Sequence, residues 1–164
     1  MQDISITPRV LPPLEPEFRP AALVNRAFRA SLPRQATKLL IALERSNEEI
    51  SRFEALVFPD DHPQAKQNLP YVERLVKFLL WQRGGYRLTI GGSPSIAEHI
   101  RKSYSPSGQR KFDYHFFSEK IYERPFEVVS CCVEDTPLPR ESGMLLGHNL
   151  DGCRIGFDLG ASDR

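Results

Sequence analysis

Apolar residues between Pro33 and Val57 recur at three- and four-residue steps, with charged residues between them. This spacing predicts an amphipathic helix, because positions three and four apart lie on one face of an α-helix. The apolar positions are Ala36, Leu39, Leu40, Leu43, Ile50, Phe53 and Val57. Ser46-Asn47 interrupts the stripe for one turn, and the prolines and acids of residues 58–63 end the predicted helix.

Three more helices and two strands are predicted further along the chain. The helical spacing recurs at residues 71–82, 96–104 and 112–122. Alternating, β-forming residues predict strands at 86–90 and 126–131. Because a helical crossover joins these two strands, we expect them to lie parallel, with right-handed connectivity. The pattern therefore predicts a helix-rich small α/β domain with a short parallel sheet.

The segments on either side of this domain differ from it in composition. Residues 1–33 hold six of the 14 prolines, which predicts a proline-rich arm that wraps a surface or stays mobile. The alternative is an ordered but irregular extension anchored by Leu11, Leu14 and Phe18. Residues 134–150 read as a linker, so the α/β domain is placed at 34–133 and a last unit at 151–164.

Composition and charge narrow the classes of protein that fit. With 164 residues, 40% hydrophobic and 26% charged, the chain has the makeup of a folded domain. Its 22 basic and 21 acidic side chains leave a net charge of +1, which argues against a nucleic-acid binder. No apolar run approaches the roughly 18 to 20 residues of a membrane span. We therefore expect no membrane partner. Three cysteines are an odd number for a set of disulfides, so we expect a cytoplasmic protein.

A glycine-rich turn is predicted between the strand at 86–90 and the helix at 96–104. Glycines and the free N–H groups of a helix start can bind a phosphate or a sugar phosphate. The candidate anion-binding residues are Gly91, Gly92, Ser93 and Ser95. The favoured interpretation is a structural turn with a serine cap. Ser95 and Glu98 have capping-box spacing, and Ser93-Pro94 offers another N-cap and first helical residue.

The other chemistry-bearing residues predict no metal site and no catalytic set. Asp60, Asp61 and His62 are adjacent, and adjacent residues rarely point at one ion. The aromatic residues of the helices are predicted to serve in packing rather than in stacking on bases. They are Trp81, Tyr104, Tyr114, Phe116, Phe117 and Tyr122.

The C-terminal residues combine a strand with a phosphate-loop pattern. Ile155 and Phe157 alternate as strand residues, and a five-residue motif follows at once. The motif is Asp158, Leu159, Gly160, Ala161 and Ser162. An Asp at its start can hold a metal through water. The glycine and small residues let backbone N–H groups approach anionic oxygens.

This motif resembles the first phosphate motif of the actin-like (ribonuclease H-like) ATPases, and it is most similar to that of the ROK family of sugar kinases and sugar-responsive regulators. The resemblance covers about residues 71–164 and implies ATP- and Mg²⁺-dependent phosphorylation of a hexose by the parent protein. It also implies that Asp158 helps to position Mg²⁺, while Gly160, Ala161 and Ser162 wrap the phosphates. Ala161 replaces the commoner second glycine, and Asp163 adds a negative charge beside the motif.

The resemblance leads to two alternative functions. The family's catalytic base, second phosphate motif, adenosine motif and zinc site would follow Arg164, so we expect this chain to be an inactive N-terminal fragment without catalytic residues. Its last strand would open an actin-like ATPase fold. The cysteines do not reproduce the zinc-ligand spacing. The alternative is a non-catalytic accessory domain that binds a sugar phosphate or a protein partner, and a homo-oligomer is compatible with both.

Overall fold

The computed structural model describes residues 6–142 and 152–153, and the first of these ranges forms a mixed α/β domain. The helices and strands are α1 (Ala21–Ser31), β1 (Thr37–Glu44), β2 (Ile50–Val57), α2 (Asn68–Arg83), β3 (Arg87–Gly91), α3 (Pro94–Ser103), α4 (Lys111–His115, continued by a π-helix at Phe116–Ile121) and β4 (Glu127–Cys131). The strand order is β2-β1-β3-β4. Strand β1 is antiparallel to both β2 and β3, whereas β3 and β4 are parallel.

Most elements after residue 70 lie where the sequence predicts them. Helices α2 and α3 cover the predicted helices at 71–82 and 96–104. Strands β3 and β4 match the predicted strands, and their parallel pairing is confirmed. The predicted helix at 112–122 is α4 together with its π-helical continuation. The α/β class is therefore correct, although the sheet is mixed rather than only parallel.

The helix predicted between Pro33 and Val57 is wrong, because this segment forms the β1–β2 hairpin. Its turn contains Asn47 and Glu48, both with positive φ, at the place where Ser46-Asn47 interrupts the apolar stripe. The run from Leu39 to Leu43 is buried throughout and carries no single period. Such a run fits a central strand covered on both faces as well as it fits a helix.

The predicted N-terminal arm includes an ordered helix, α1. Its Phe28 is buried and stacks on Tyr71 of α2, with the ring centroids 4.0 Å apart. Phe28 also meets the ring of Phe58 edge-on. The proposed anchors of an irregular extension, Leu11, Leu14 and Phe18, are exposed instead. Phe28 therefore anchors this segment in the hydrophobic core of the domain.

The sheet buries residues on both faces. Leu39, Ile41 and Leu43 of β1 face the helices and belong to the main hydrophobic core. Leu40 and Ala42 point to the second face and are also buried. Alternate residues of a strand lie on opposite faces, so a second layer must cover this side.

The second face carries the segment after β4, residues 132–142, here called the strap. At one end Cys131 of β4 pairs with Gly91, and at the other end Arg140 pairs with Ile50 of the edge strand β2. Since these pairs lie at opposite corners of the sheet, the strap crosses it diagonally. Thr136, in the middle, is buried. The described part of the predicted linker therefore packs against the sheet.

The length and apolar character of the described helices bear on whether one of them could span a membrane. Within residues 6–142, no helix has both the length and the apolar character that a membrane span requires. The cytoplasmic location stays a prediction from the sequence.

Candidate functional site

The glycine-rich turn between β3 and α3 ends in a serine cap. Ser93 is the N-cap residue, and its Oγ accepts a hydrogen bond from the backbone N–H of Ile96 at 3.3 Å. Pro94 is the first helical residue, where its missing N–H costs nothing. The cap is therefore Ser93 rather than Ser95.

A carboxylate of the chain itself lies at this turn. Asp60, which follows β2, accepts hydrogen bonds from the hydroxyls of Ser93 at 2.9 Å and Ser95 at 3.1 Å. A negative group near a helix N-terminus is stabilised by the helix dipole. Asp60 thus supplies from within the protein the charge that a bound phosphate would bring. This geometry favours the structural interpretation of the turn, and anion binding by Gly91, Gly92, Ser93 and Ser95 stays a prediction.

The two glycines of the turn are required by packing. A Cβ atom on Gly91 would lie 1.9 Å from Oγ1 of Thr136 in the strap. Gly92 has φ of +109° and a Cβ there would lie 2.5 Å from the carbonyl oxygen of Lys38. Both glycines therefore have a structural explanation that involves no ligand.

A depression of about 550 Å³ adjoins the turn at the carboxyl ends of β3 and β4. It is lined by Gly92, Pro94, Ser130, Cys131, Cys132, Val133 and Glu134. The thiol of Cys132 donates to Oδ2 of Asp135 at 2.7 Å, and this hydrogen bond raises the pKa of Cys132. This hydrogen bond favours the protonated form of the thiol.

The other predicted site residues, Asp158, Gly160, Ala161 and Ser162, lie outside the described residues. Their roles toward ATP and Mg²⁺ stay predictions. Among residues 6–142 and 152–153, no cluster of three or more His, Cys, Asp or Glu side chains could hold a metal ion. Asp60 bonds to the serines, and the ring of His62 stacks on Phe58 at 4.7 Å.

A polar cluster joins α2, α3 and the start of α4. Glu73 accepts from Nε of Arg110 at 2.8 Å and contacts Nε2 of His99 at 3.2 Å. Ser103 donates to the same carboxylate at 3.4 Å. Nearby, burial raises the pKa of Tyr104, whose hydroxyl has no partner within the described part of the chain. The hydrogen bonds to Glu73 join the three helices.

An exposed group of aromatic rings was missed by sequence reasoning. Phe78 and Trp81 of α2 are 59% and 50% exposed, and Phe112 of α4 is 67% exposed. The buried face of α2 carries Val72, Val76, Leu79 and Leu80. The sequence carries a signal for this surface. Phe78 and Trp81 are large apolar residues that lie outside the apolar stripe of the buried face of α2.

These rings form an ordered stack. Trp81 lies parallel to Phe116 with centroids 5.2 Å apart, and Phe116 lies parallel to Phe112 at 5.9 Å. The indole N–H of Trp81 donates to the buried carboxylate of Asp113 at 2.8 Å. The rings of Trp81, Phe112 and Phe116 therefore have fixed orientations. Phe78, Trp81, Phe112 and Phe116 are called the aromatic surface below.

A groove of about 480 Å³ runs along α2 beside Phe78 and Trp81. Its lining residues are Ala21, Arg74, Lys77, Phe78, Trp81 and Gln82. The two charged residues among them, Arg74 and Lys77, are both basic. Arg74 donates from its guanidinium to Oδ1 of Asn25 at 3.2 Å, and burial lowers its pKa. The groove thus combines an apolar floor with positive charge.

Comparison of the chain with protein-family models, with curated proteins and with solved structures found no match. What the chain is can be described from its own structure: residues 6–142 form a small mixed α/β domain with an exposed aromatic surface. The relation to the ROK family and the actin-like ATPase fold stay predictions from the motif at residues 158–162.

Proposed function

We propose that residues 6–142 form a protein-interaction domain that precedes a ROK-like phosphate motif. The observation that carries this proposal is the aromatic surface. Large aromatic residues that are exposed together, rather than singly, are typical of binding surfaces. Because stacking and the Trp81–Asp113 hydrogen bond fix three of these rings, little side-chain entropy is lost when a partner binds.

The ROK-like part of the proposal rests on the sequence motif alone. ATP, Mg²⁺ and a hexose belong to the implied parent activity, with Asp158 near the metal and Gly160, Ala161 and Ser162 around the phosphates. The described domain contributes no group to that chemistry in this proposal. One observation supports a domain without phosphate chemistry. The hydroxyls of Ser93 and Ser95, in the glycine-rich turn, already donate their hydrogen bonds to Asp60.

Two assays test the catalytic part. The purified chain, mixed with ATP, Mg²⁺ and a panel of hexoses in a coupled assay, should release no ADP above buffer. Inorganic phosphate and hexose phosphates should leave the melting temperature unchanged, because a ligand of the folded state would raise it. Sugar-dependent ADP release would overturn the non-catalytic assignment. A saturable stabilisation by hexose phosphate, lost in Gly92→Val, would favour the sugar-phosphate alternative.

Site-specific crosslinking tests the interaction part. A photo-crosslinking amino acid at position 112 should form a covalent protein adduct in cells, whereas the same group at position 138 should not. Leu138 is a matched control because it is 73% exposed but lies in the strap. Trp81→Ala should remove the adduct at position 112. An adduct of twice the mass of this chain would identify a homo-oligomer as the partner, and equal crosslinking at both positions would contradict the proposal.

A further inference from the structure

We propose that the aromatic surface and its groove bind an acidic amphipathic helix of a partner protein. This inference rests on the proposed interaction function and specifies the chemistry of the partner. The groove-lining residues of α2 are Arg74, Lys77, Phe78, Trp81 and Gln82, which follow each other at steps of three, one, three and one residues. They therefore form one continuous stripe on the solvent side of α2.

The length of this stripe suits a helix as the occupant. At 1.5 Å per residue, positions 74 to 82 span roughly 12 Å, or about two helical turns. Helix-in-groove recognition uses apolar residues at positions i, i+3 or i+4, and i+7 of the partner. Phe78 and Trp81 line the groove, and Phe112 extends the apolar surface through the ring stack. Two or three apolar side chains of a partner helix can be covered by these rings.

The charges select an acidic partner. Arg74 is half-buried and oriented by Asn25, and Lys77 is exposed one helical turn further along. Within residues 6–142, no acidic residue lines the groove. The nearest carboxylate of α4, Asp113, is buried and bonded to Trp81. Glutamates or aspartates that flank the apolar stripe of the partner would therefore meet positive charge on this side.

Other macromolecules fit the surface less well. Single-stranded nucleic acid binds along a continuous basic path, but the whole chain has a net charge of only +1. The rings of Trp81 and Phe116 stack on each other, so one face of each is already covered. An anionic membrane surface would be attracted by several lysines and arginines together, and the groove offers two.

Trp81 provides a direct measurement, because it is the only tryptophan of the chain. The probe is a synthetic peptide of about 15 residues with leucines at helical spacing and glutamates on the flanking positions. Its titration into the full chain should shift the tryptophan emission to the blue with saturation below about 1 mM. Raising the salt from about 0.05 to 0.5 M should weaken binding, because the charges are exposed to solvent. A matched peptide with lysine in place of glutamate should bind at least about tenfold more weakly.

Variants on the surface separate this site from nonspecific binding. Phe78→Ala should weaken the acidic peptide by roughly tenfold, since a central aromatic contact is lost. Lys77→Glu leaves one positive and one negative side chain in the groove, so the two peptides should bind this variant about equally. Leu138→Ala, which removes an exposed apolar side chain of the strap, should leave both titrations unchanged. Circular dichroism confirms that each variant is folded before its titration is interpreted.

The remaining outcomes overturn the inference. No saturable binding of the acidic peptide, or equal binding of both peptides, would exclude an acidic helix as the occupant. Tighter binding of phosphatidylglycerol vesicles or of an oligo(dT) strand, lost in Lys77→Glu, would identify a membrane or a nucleic acid instead. Either result leaves the crosslinking test at position 112 as the separate measure of protein interaction. A failed peptide titration with a positive crosslink would therefore reject only the acidic-helix assignment.

Discussion

The indole Nε1 of Trp81 lies 2.8 Å from Oδ1 of Asp113 and donates a hydrogen bond to it across the α2–α4 contact. Asp113 is 4% exposed, so its carboxylate is taken out of water beside a half-exposed ring. A buried acceptor that loses its donor is costly, which makes this pair important both for stability and for the orientation of the aromatic surface.

Asp113→Ala is expected to destabilise the chain by about 1–3 kcal/mol, because Trp81 and α4 lose a buried, charge-assisted hydrogen bond. The emission of the single tryptophan should shift as the ring becomes free to move. Chemical denaturation and fluorescence measure the two effects together. Asp113→Asn is the control, since its amide oxygen can still accept from the indole and should retain most of the stability. Equal losses in both variants would mean that this hydrogen bond does not fix Trp81.

Ser93→Ala should cost about 1 kcal/mol, because the N-cap of α3 and a donor to Asp60 disappear together. Ser95→Ala removes only the exposed hydroxyl bonded to Asp60 and should cost less. Thermal denaturation of the two variants compares them. If Ser95→Ala were the more damaging change, the capping role assigned to Ser93 would be wrong.

Gly91→Ala should be strongly destabilising, because its Cβ would overlap Oγ1 of Thr136. Adding Thr136→Ala should recover part of the loss, since it removes the overlapping oxygen. The control, Thr136→Ser, keeps that oxygen and should give no recovery. A double-mutant cycle from denaturation curves gives the coupling between the two sites. Additive losses would show that the strap does not pack on Gly91.

Because Tyr104 is buried, we expect the chain to lose stability at alkaline pH. Burial raises the pKa of Tyr104, and the charge of Asp113 adds to this effect. Below the pKa of the phenol in the unfolded chain, about 10, ionisation of Tyr104 does not affect the free energy of unfolding. As the pH rises from there toward the raised pKa of the folded state, the unfolded chain ionises first and the folded state loses stability. Denaturation between pH 7 and pH 11 should show this fall, and Tyr104→Phe should reduce its slope. Tyr86 and Tyr122, whose pKa values are also raised, leave a residual slope.

At neutral pH, Tyr104→Phe is expected to be neutral or slightly stabilising. The hydroxyl is buried, and within residues 6–142 it has no hydrogen-bond partner, so its removal relieves an unsatisfied polar group. A loss of more than about 1 kcal/mol would show that the hydroxyl bonds to a buried water or to another group.

The sequence could predict the elements whose local pattern agrees with their place in the fold. Helix α2 has a regular apolar stripe and a glycine stop, and α3 begins at a serine followed by proline. Strands β3 and β4 are short, rich in β-forming residues and separated by helices, which also determined their parallel pairing. The sequence also favours a structural turn with a serine cap, but its spacing fits both Ser93 and Ser95, and the structure has Ser93 as the N-cap.

Tertiary structure decided what local pattern leaves ambiguous. The run from Leu39 to Leu43 becomes a strand because β2 and β3 pair on either side of β1, and the strap and the helices cover its two faces. The Asp60 carboxylate reaches Ser93 across 33 positions, and the hydrogen bond from Trp81 to Asp113 spans 32. Sequence periodicity reports which face of an element is apolar. It does not report which apolar residues remain uncovered, because burial depends on neighbours that only the folded chain brings together.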